Sequence, residues 1–109
     1  MPLPVFRQDT TDEEFDRMAQ NARDAADFLK VLSHESRLMI LCYLATGEKS
    51  VTQLEALLSA RQAAVSQQLM RLRQENLVTT RRDGKAIYYS LTDDRTQKIM
   101  DVVYDLFCT

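Results

Sequence analysis

A mainly helical fold carrying one small β-hairpin is what this sequence predicts, on three observations. Apolar residues recur at steps of three and four through most of the 109 residues, and Ser, Thr or Asp stands where each run begins. One segment, 78–91, switches instead to β-branched and aromatic residues divided by Asp83-Gly84. The two prolines are Pro2 and Pro4 and there are only two glycines, so few tight turns are on offer. Two helices around a short break, followed by a basic hairpin, make the order of a winged helix-turn-helix. Five helices are expected, with the hairpin between the fourth and the fifth.

The elements follow in order. Behind a flexible tail at 1–10, residues 11–109 are expected to form one domain. Thr10 with Glu13, or Thr11 with Glu14, can build a capping box for a long first helix. Phe15, Met18, Ala22, Ala25, Leu29 and Leu32 draw an apolar stripe along it. The small residues Ala22 and Ala25 predict a close helical neighbour. Ser33 can cap a second helix with Leu38, Leu41, Cys42 and Ala45 on one face, and Gly47 supplies its left-handed exit. Ser50 and Gln53 form a capping box for a short third helix whose apolar set is Val51, Leu54, Leu57 and Leu58. After a break at Ser59-Ala60-Arg61, a fourth helix spans about 62–75. It turns Val65, Leu69 and Leu72 inward and Ser66, Gln67, Arg71 and Gln74 outward, and Asn76 ends it. The hairpin strands are Val78–Arg82 and Ala86–Leu91. Thr92 or Asp93 caps a last helix striped by Ile99, Val102, Val103 and Leu106.

Charge and composition narrow the function. The longest apolar run, Leu38–Ala45, is far too short to span a bilayer, and the N-terminus lacks the basic-then-apolar order of a secretory signal. A cytoplasmic protein with no membrane partner is expected. The net charge of −2 is unevenly spread: residues 61–85 carry +4 and residues 1–30 carry −3. A cationic segment in an acidic chain can meet phosphates while the remainder limits non-specific sticking. In this fold the second helix of the pair enters the major groove. Gln62, Ala63, Ser66 and Gln67 would then face base edges, Arg71 a phosphate, and Arg81, Arg82 and Lys85 the backbone or minor groove. Double-stranded DNA is the expected partner.

The run Leu32-Ser33-His34-Glu35-Ser36-Arg37-Leu38-Met39-Ile40-Leu41 is followed by Ala64-Val65-Ser66-Gln67-Gln68-Leu69, Leu72-Arg73, Asn76-Leu77-Val78 and an Arg-Arg-Asp-Gly-Lys hairpin. As an ordered set these resemble the ArsR/SmtB repressors. The resemblance implies a homodimer built on the first and last helices, through Phe15, Met18, Ala22, Ala25, Ile99, Val102, Val103 and Leu106, and a two-fold dimer would read double-stranded operator DNA as an inverted repeat. It also implies a repressor that leaves its operator when an inducer binds or reacts. Gln67 and Asn76 stand where the family often has His and Gly, which alters base preference and turn chemistry and leaves the fold intact.

Inducer chemistry is read by elimination and by resemblance. Metal sites need clustered soft or imidazole ligands. The third helix, Val51–Leu57, lacks the family's Cys-x-Cys type site, and His34 is the sole histidine. Neither a zinc or nickel site nor any cofactor is expected. Cys42 and Cys108 resemble the dithiol of the family's persulfide-sensing branch, in which reactive sulfur species bridge two thiols within a subunit and DNA is released. A helix C-terminus disfavours a thiolate, so Cys42 is expected to attack before Cys108. Arsenite, another soft metal ion or peroxide acting on the same thiols remain open. A small thiol enzyme is disfavoured because no Cys-x-x-Cys is present, and the chain is expected to have no catalytic residues. A DNA-free adaptor is the other class.

Overall fold

The computed structural model describes residues 10–59 and 62–108; the side chains of Gln62 and Ala63 lie outside the described residues, as do 1–9 of the expected tail. Eight elements run in the order α1 (Asp12–Leu32), α2 (Glu35–Leu44), β1 (Lys49–Ser50), α3 (Val51–Leu58), α4 (Gln62–Gln74), β2 (Val78–Asp83), β3 (Ala86–Leu91) and α5 (Asp94–Phe107). The chain divides into two compact units, residues 1–30 and 31–109.

The first unit is helical. Of the two possible capping boxes, Thr11 and Glu14 form it: the Glu14 amide donates to Thr11 Oγ1 at 3.2 Å and the Thr11 amide to Glu14 Oε2 at 3.4 Å. Asp12, Glu13 and Glu14 sit at the positive end of the helix dipole. A single helix cannot bury its own stripe, and Phe15 and Met18 are exposed, as are Ala22 and Ala25.

In the second unit the core collects Val31, Leu32, Ile40, Leu41, Leu44, Leu54, Val65, Leu69, Leu72, Leu77, Val78 and Met100. Two sequence expectations about α2 are corrected. His34, not Ser33, caps α2: its Nδ1 accepts the Ser36 amide at 3.2 Å, which gives the histidine a structural role. The buried face of α2 is Ile40, Leu41 and Leu44, while Leu38, Cys42 and Ala45 are only half-buried. In α5 the side that enters the core is Thr96 and Met100; Ile99 and Val103 are half-buried, and Val102 and Leu106 are exposed. Asp93 caps that helix, accepting from the Thr96 amide at 3.2 Å.

The sheet has three antiparallel strands in the order β1-β3-β2. The two-residue strand β1, absent from the sequence reading, pairs Lys49 with Tyr89 and Ser50 with Tyr88. Ser50 then caps α3 through the full capping box with Gln53. Asp83 pairs with Ala86, so the hairpin loop is Gly84-Lys85 rather than Asp83-Gly84. Gly84 at φ +64° takes the first loop position, as a type II′ turn requires. Asn76, at φ 61°, makes the left-handed exit from α4, and the Leu77 amide closes it on Leu72 O at 2.9 Å.

Candidate nucleic-acid interface and thiol groove

Of the expected break Ser59-Ala60-Arg61 between α3 and α4, Ser59 is in the left-handed region at φ 51°, and Ala60 and Arg61 lie outside the described residues. Val65, Leu69 and Leu72 are buried and fix which side of α4 faces the core. At 100° per residue, Gln67, Met70, Arg71 and Gln74 point away from it, and all four are exposed. Ser66 lies on the flank and is half-buried, so it is less outward than its place in the sequence suggested. Its neighbour Gln68 is turned inward and accepts from Arg37 Nη1 at 3.3 Å, while Arg37 Nε holds Val31 O at 2.7 Å. Arg37 therefore braces α4 from α2, a function that the sequence reading missed. Met70, 60% exposed, also escaped it, although the 100° spacing alone places it beside Gln67. Arg71 pairs loosely with Glu75 at 3.4 Å on the helix surface.

The three cations of the hairpin are not equivalent. Strand alternation puts Arg81 and Arg82 on opposite faces. Lys85 occupies the loop, exposed at the tip. Arg81 is engaged where it stands. Its Nε donates to both Glu48 oxygens at 2.9 and 3.0 Å, Nη2 closes a second arm on Oε1, and the guanidinium lies 4.6 Å from the Tyr88 ring centroid. Asp83 Oδ2 adds a weaker contact at 3.9 Å. Hydrogen bonding from Arg81 holds the Glu48 carboxyl below the usual carboxylate range, and the same bond pushes the guanidinium up.

The thiols are both free; Cys42 is half-buried and Cys108 exposed. They line one apolar groove with Leu38, Met39, Tyr43, Val103 and Phe107, between α2 and the end of α5. Cys42 Sγ also lies 3.8 Å from the sulfur of buried Met100. Burial, and then the charge of Cys108, push the Cys42 thiol above its ordinary range. Burial thus works against the expected first attack by Cys42. Among the described residues no three of His, Cys, Asp and Glu gather as a metal-holding group, and no helix is long and apolar enough to cross a membrane.

Residues 34–80, which hold α2, α3, α4 and the start of β2, match the family model described as "Bacterial regulatory protein, arsR family". A biofilm growth-associated repressor of Agrobacterium fabrum is 45% identical over 91 residues, covering 84% of this chain and 78% of the relative. The chain belongs to the arsR family. Its fold also matches solved members. The crystal structure of the transcriptional repressor BigR from Xylella fastidiosa aligns with a TM-score of 0.79 at 40% identity, covering 86% of this chain and 96% of that one. Reduced HlyU from Vibrio cholerae aligns at 0.82 and 34% identity, covering 85% and 98%. This arsR-family chain is a DNA-binding transcriptional repressor with the winged-helix fold, not an enzyme.

Proposed function

We propose that this arsR-family chain works as a homodimer that holds an inverted-repeat operator and releases it when a persulfide or polysulfide bridges Cys42 to Cys108. The observation that carries the reading is the single groove in which both thiols stand, joining α2 beneath the DNA-reading pair to the end of α5. The DNA side is supported by the outward face of α4 and by Arg82 and Lys85, which make no ion pair among the described residues. Gln67 is the base-reading residue. Gln62, Ala63 and Ser66 lie at or beside the helix start, and Arg71 is placed for phosphate.

Dimerisation follows from apolar surface that a lone subunit leaves wet. On α5, Val102, Leu106 and Phe107 are 52%, 70% and 80% exposed. On α1 the Phe15, Met18, Ala22, Ala25 stripe needs a partner as well. Pairing α1 and α5 across a two-fold axis covers both and sets two α4 helices to read half-sites about 34 Å apart or a multiple of it.

The sulfur chemistry closes in atoms and electrons. A thiolate at Cys108 takes a sulfane sulfur from a persulfide donor and expels the donor's thiolate, leaving Cys108–S–SH. A second donor adds one more sulfur in the same way. The Cys42 thiolate then attacks the sulfur bonded to Cys108 Sγ and expels HS⁻, closing a trisulfide. Each added atom lengthens the tether by about 2 Å. A cross-link from α2 to α5 constrains the DNA-reading half against the dimer seam.

A duplex from upstream of the protein's own coding region should be bound in gel-shift and released by polysulfide, with mass spectrometry counting the inserted sulfurs. A Cys42→Ser protein that still responds like wild type would sink the switch. A second reading, a soft-ion inducer such as arsenite, draws on the Met100 thioether beside Cys42. Release by arsenite at stoichiometric concentration, with no response to polysulfide, would favour it.

A further inference from the structure

Glu48, Arg81 and Tyr88 form a strap across the sheet that DNA recognition as described above does not use. Ser50 pairs with Tyr88 and Tyr88 with Arg81, so the three share one face; Glu48, two residues before Ser50, belongs to it by strand alternation. The Arg81 side chain leaves β2, lies over the ring of Tyr88 on the central strand β3, and grips Glu48 ahead of β1. β1 runs directly into the Ser50 cap of α3, the first helix of the DNA-reading pair. The strap therefore ties the outer strand of the wing to the entrance of that pair.

Exposed ion pairs usually hold little, because water screens them and long side chains lose entropy. Here the fork is two-armed and its plane rests on a ring, which are the conditions under which an Arg–carboxylate pair keeps its geometry. Nε and Nη2 of Arg81 are committed to Glu48, so its charge is already paired where Arg82 and Lys85 have no ion pair among the described residues. Arg82 on the opposite face and Lys85 at the tip carry no such engagement.

We infer that Glu48 and Arg81 are positioning residues. They set the angle of the wing so that Arg82 and Lys85 meet the DNA backbone, and Arg81 itself makes no phosphate contact. The inference rests on the wing lying against DNA. Epistasis separates the two roles: a positioning residue has no effect left once Arg82 and Lys85 are gone, whereas a direct phosphate contact adds its own loss and flattens the slope of log K against log salt by about 0.9 more.

The test is fluorescence-anisotropy titration of the full-length protein on the upstream duplex between about 50 and 200 mM salt. Arg82→Ala and Lys85→Ala should each flatten the slope by about 0.9. Arg81→Ala and Glu48→Ala should each weaken binding about fivefold, and neither should weaken it further in the Arg82→Ala/Lys85→Ala background. The Glu48→Ala/Arg81→Ala double variant should be no worse than Arg81→Ala alone. Arg81→Lys should behave like Arg81→Ala, because lysine keeps the charge and loses the planar fork. A further loss when Arg81→Ala is added to the Arg82→Ala/Lys85→Ala background, wild-type affinity for Arg81→Lys, or tighter binding by Glu48→Ala would overturn the inference and make Glu48 a competitor for a DNA-contacting arginine. Arg81→Ala with unchanged affinity would overturn it too. Unchanged slopes for Arg82→Ala and Lys85→Ala would instead sink the placement of the wing on DNA.

Discussion

Alkylation of the reduced protein should label Cys108 well before Cys42. Burial disfavours the Cys42 thiolate, and its pKa lies above the ordinary thiol value of 9.0. A thiol at that ordinary value is about 1% ionised at pH 7, and every tenfold weakening of the acid costs another factor of about ten in thiolate. A more basic thiolate is also a better nucleophile, with a Brønsted coefficient of about 0.4–0.5, which returns about threefold of that tenfold loss. The net penalty is therefore about three- to fourfold in rate for every tenfold weakening of the acid, before access is counted. Access acts in the same direction, since Cys42 is half-buried and Cys108 exposed. The assay is a pulse of iodoacetamide at several pH values between 7 and 10, quenched and read by peptide mass spectrometry. Cys108→Ser adds a second arm. The Cys108 charge is the smaller of the two causes raising Cys42, and it acts only once Cys108 is ionised. The substitution removes that charge, so Cys42 should label faster in alkaline solution than it does in the wild-type protein, by less than burial slows it. Labelling of Cys42 ahead of Cys108 at neutral pH would refute the reasoning and restore Cys42 as the first attacker.

Leu69→Ala should cost about 3 kcal/mol in urea unfolding at fixed protein concentration, because Leu69 is 0% exposed at the centre of the inner face of α4. A loss below about 1 kcal/mol would mean that the helix is not held by that face. Gln67→Ala should change sequence preference while Lys85→Ala weakens all duplexes alike; equal losses for Gln67→Ala on operator and random DNA would place the reading face elsewhere. Acid should release the Glu48–Arg81 strap late. The Glu48 pKa is depressed in the folded protein, so its contribution is present above the unfolded carboxylate pKa and is lost as pH falls through the lower folded value. A Tyr88 ring signal followed by NMR should titrate with a midpoint below the ordinary Glu value; a midpoint at that value would show the pair to be idle.

How far the sequence could be read depended on how one-sided each segment was. In α4 apolar residues at 65, 69 and 72 leave polar ones between them, so the buried face was correctly expected. In α2 the run Leu38-Met39-Ile40-Leu41-Cys42 is apolar all round, and periodicity offers no preferred side. Packing chose Ile40, Leu41 and Leu44, which left Cys42 half-buried within the groove. The interface stripe expected on α5 is half-buried at Ile99 and Val103 and exposed at Val102 and Leu106, because a pattern reports that a face is apolar, not which neighbour covers it. β1 is two residues long, too short for any alternation to register, and exists because β3 offers it hydrogen-bonding partners.

By itself, the chain's order of residues determined the kind of molecule: the helix pair with its inward leucines, the glycine-bearing hairpin, the cations around it and the two thiols at opposite ends of the core segment. Local periodicity and turn chemistry suffice for those, since each depends on near neighbours in sequence. Tertiary structure decided which of two adjacent arginines is spoken for. That outcome turns on strand register, because a slip of one residue exchanges the faces of the sheet, and on Glu48, 33 positions away from Arg81, arriving across the central strand. It also decided that Cys42 and Cys108 share a groove, because only the packing of α5 on α2 brings residues so distant along the chain within electrostatic reach.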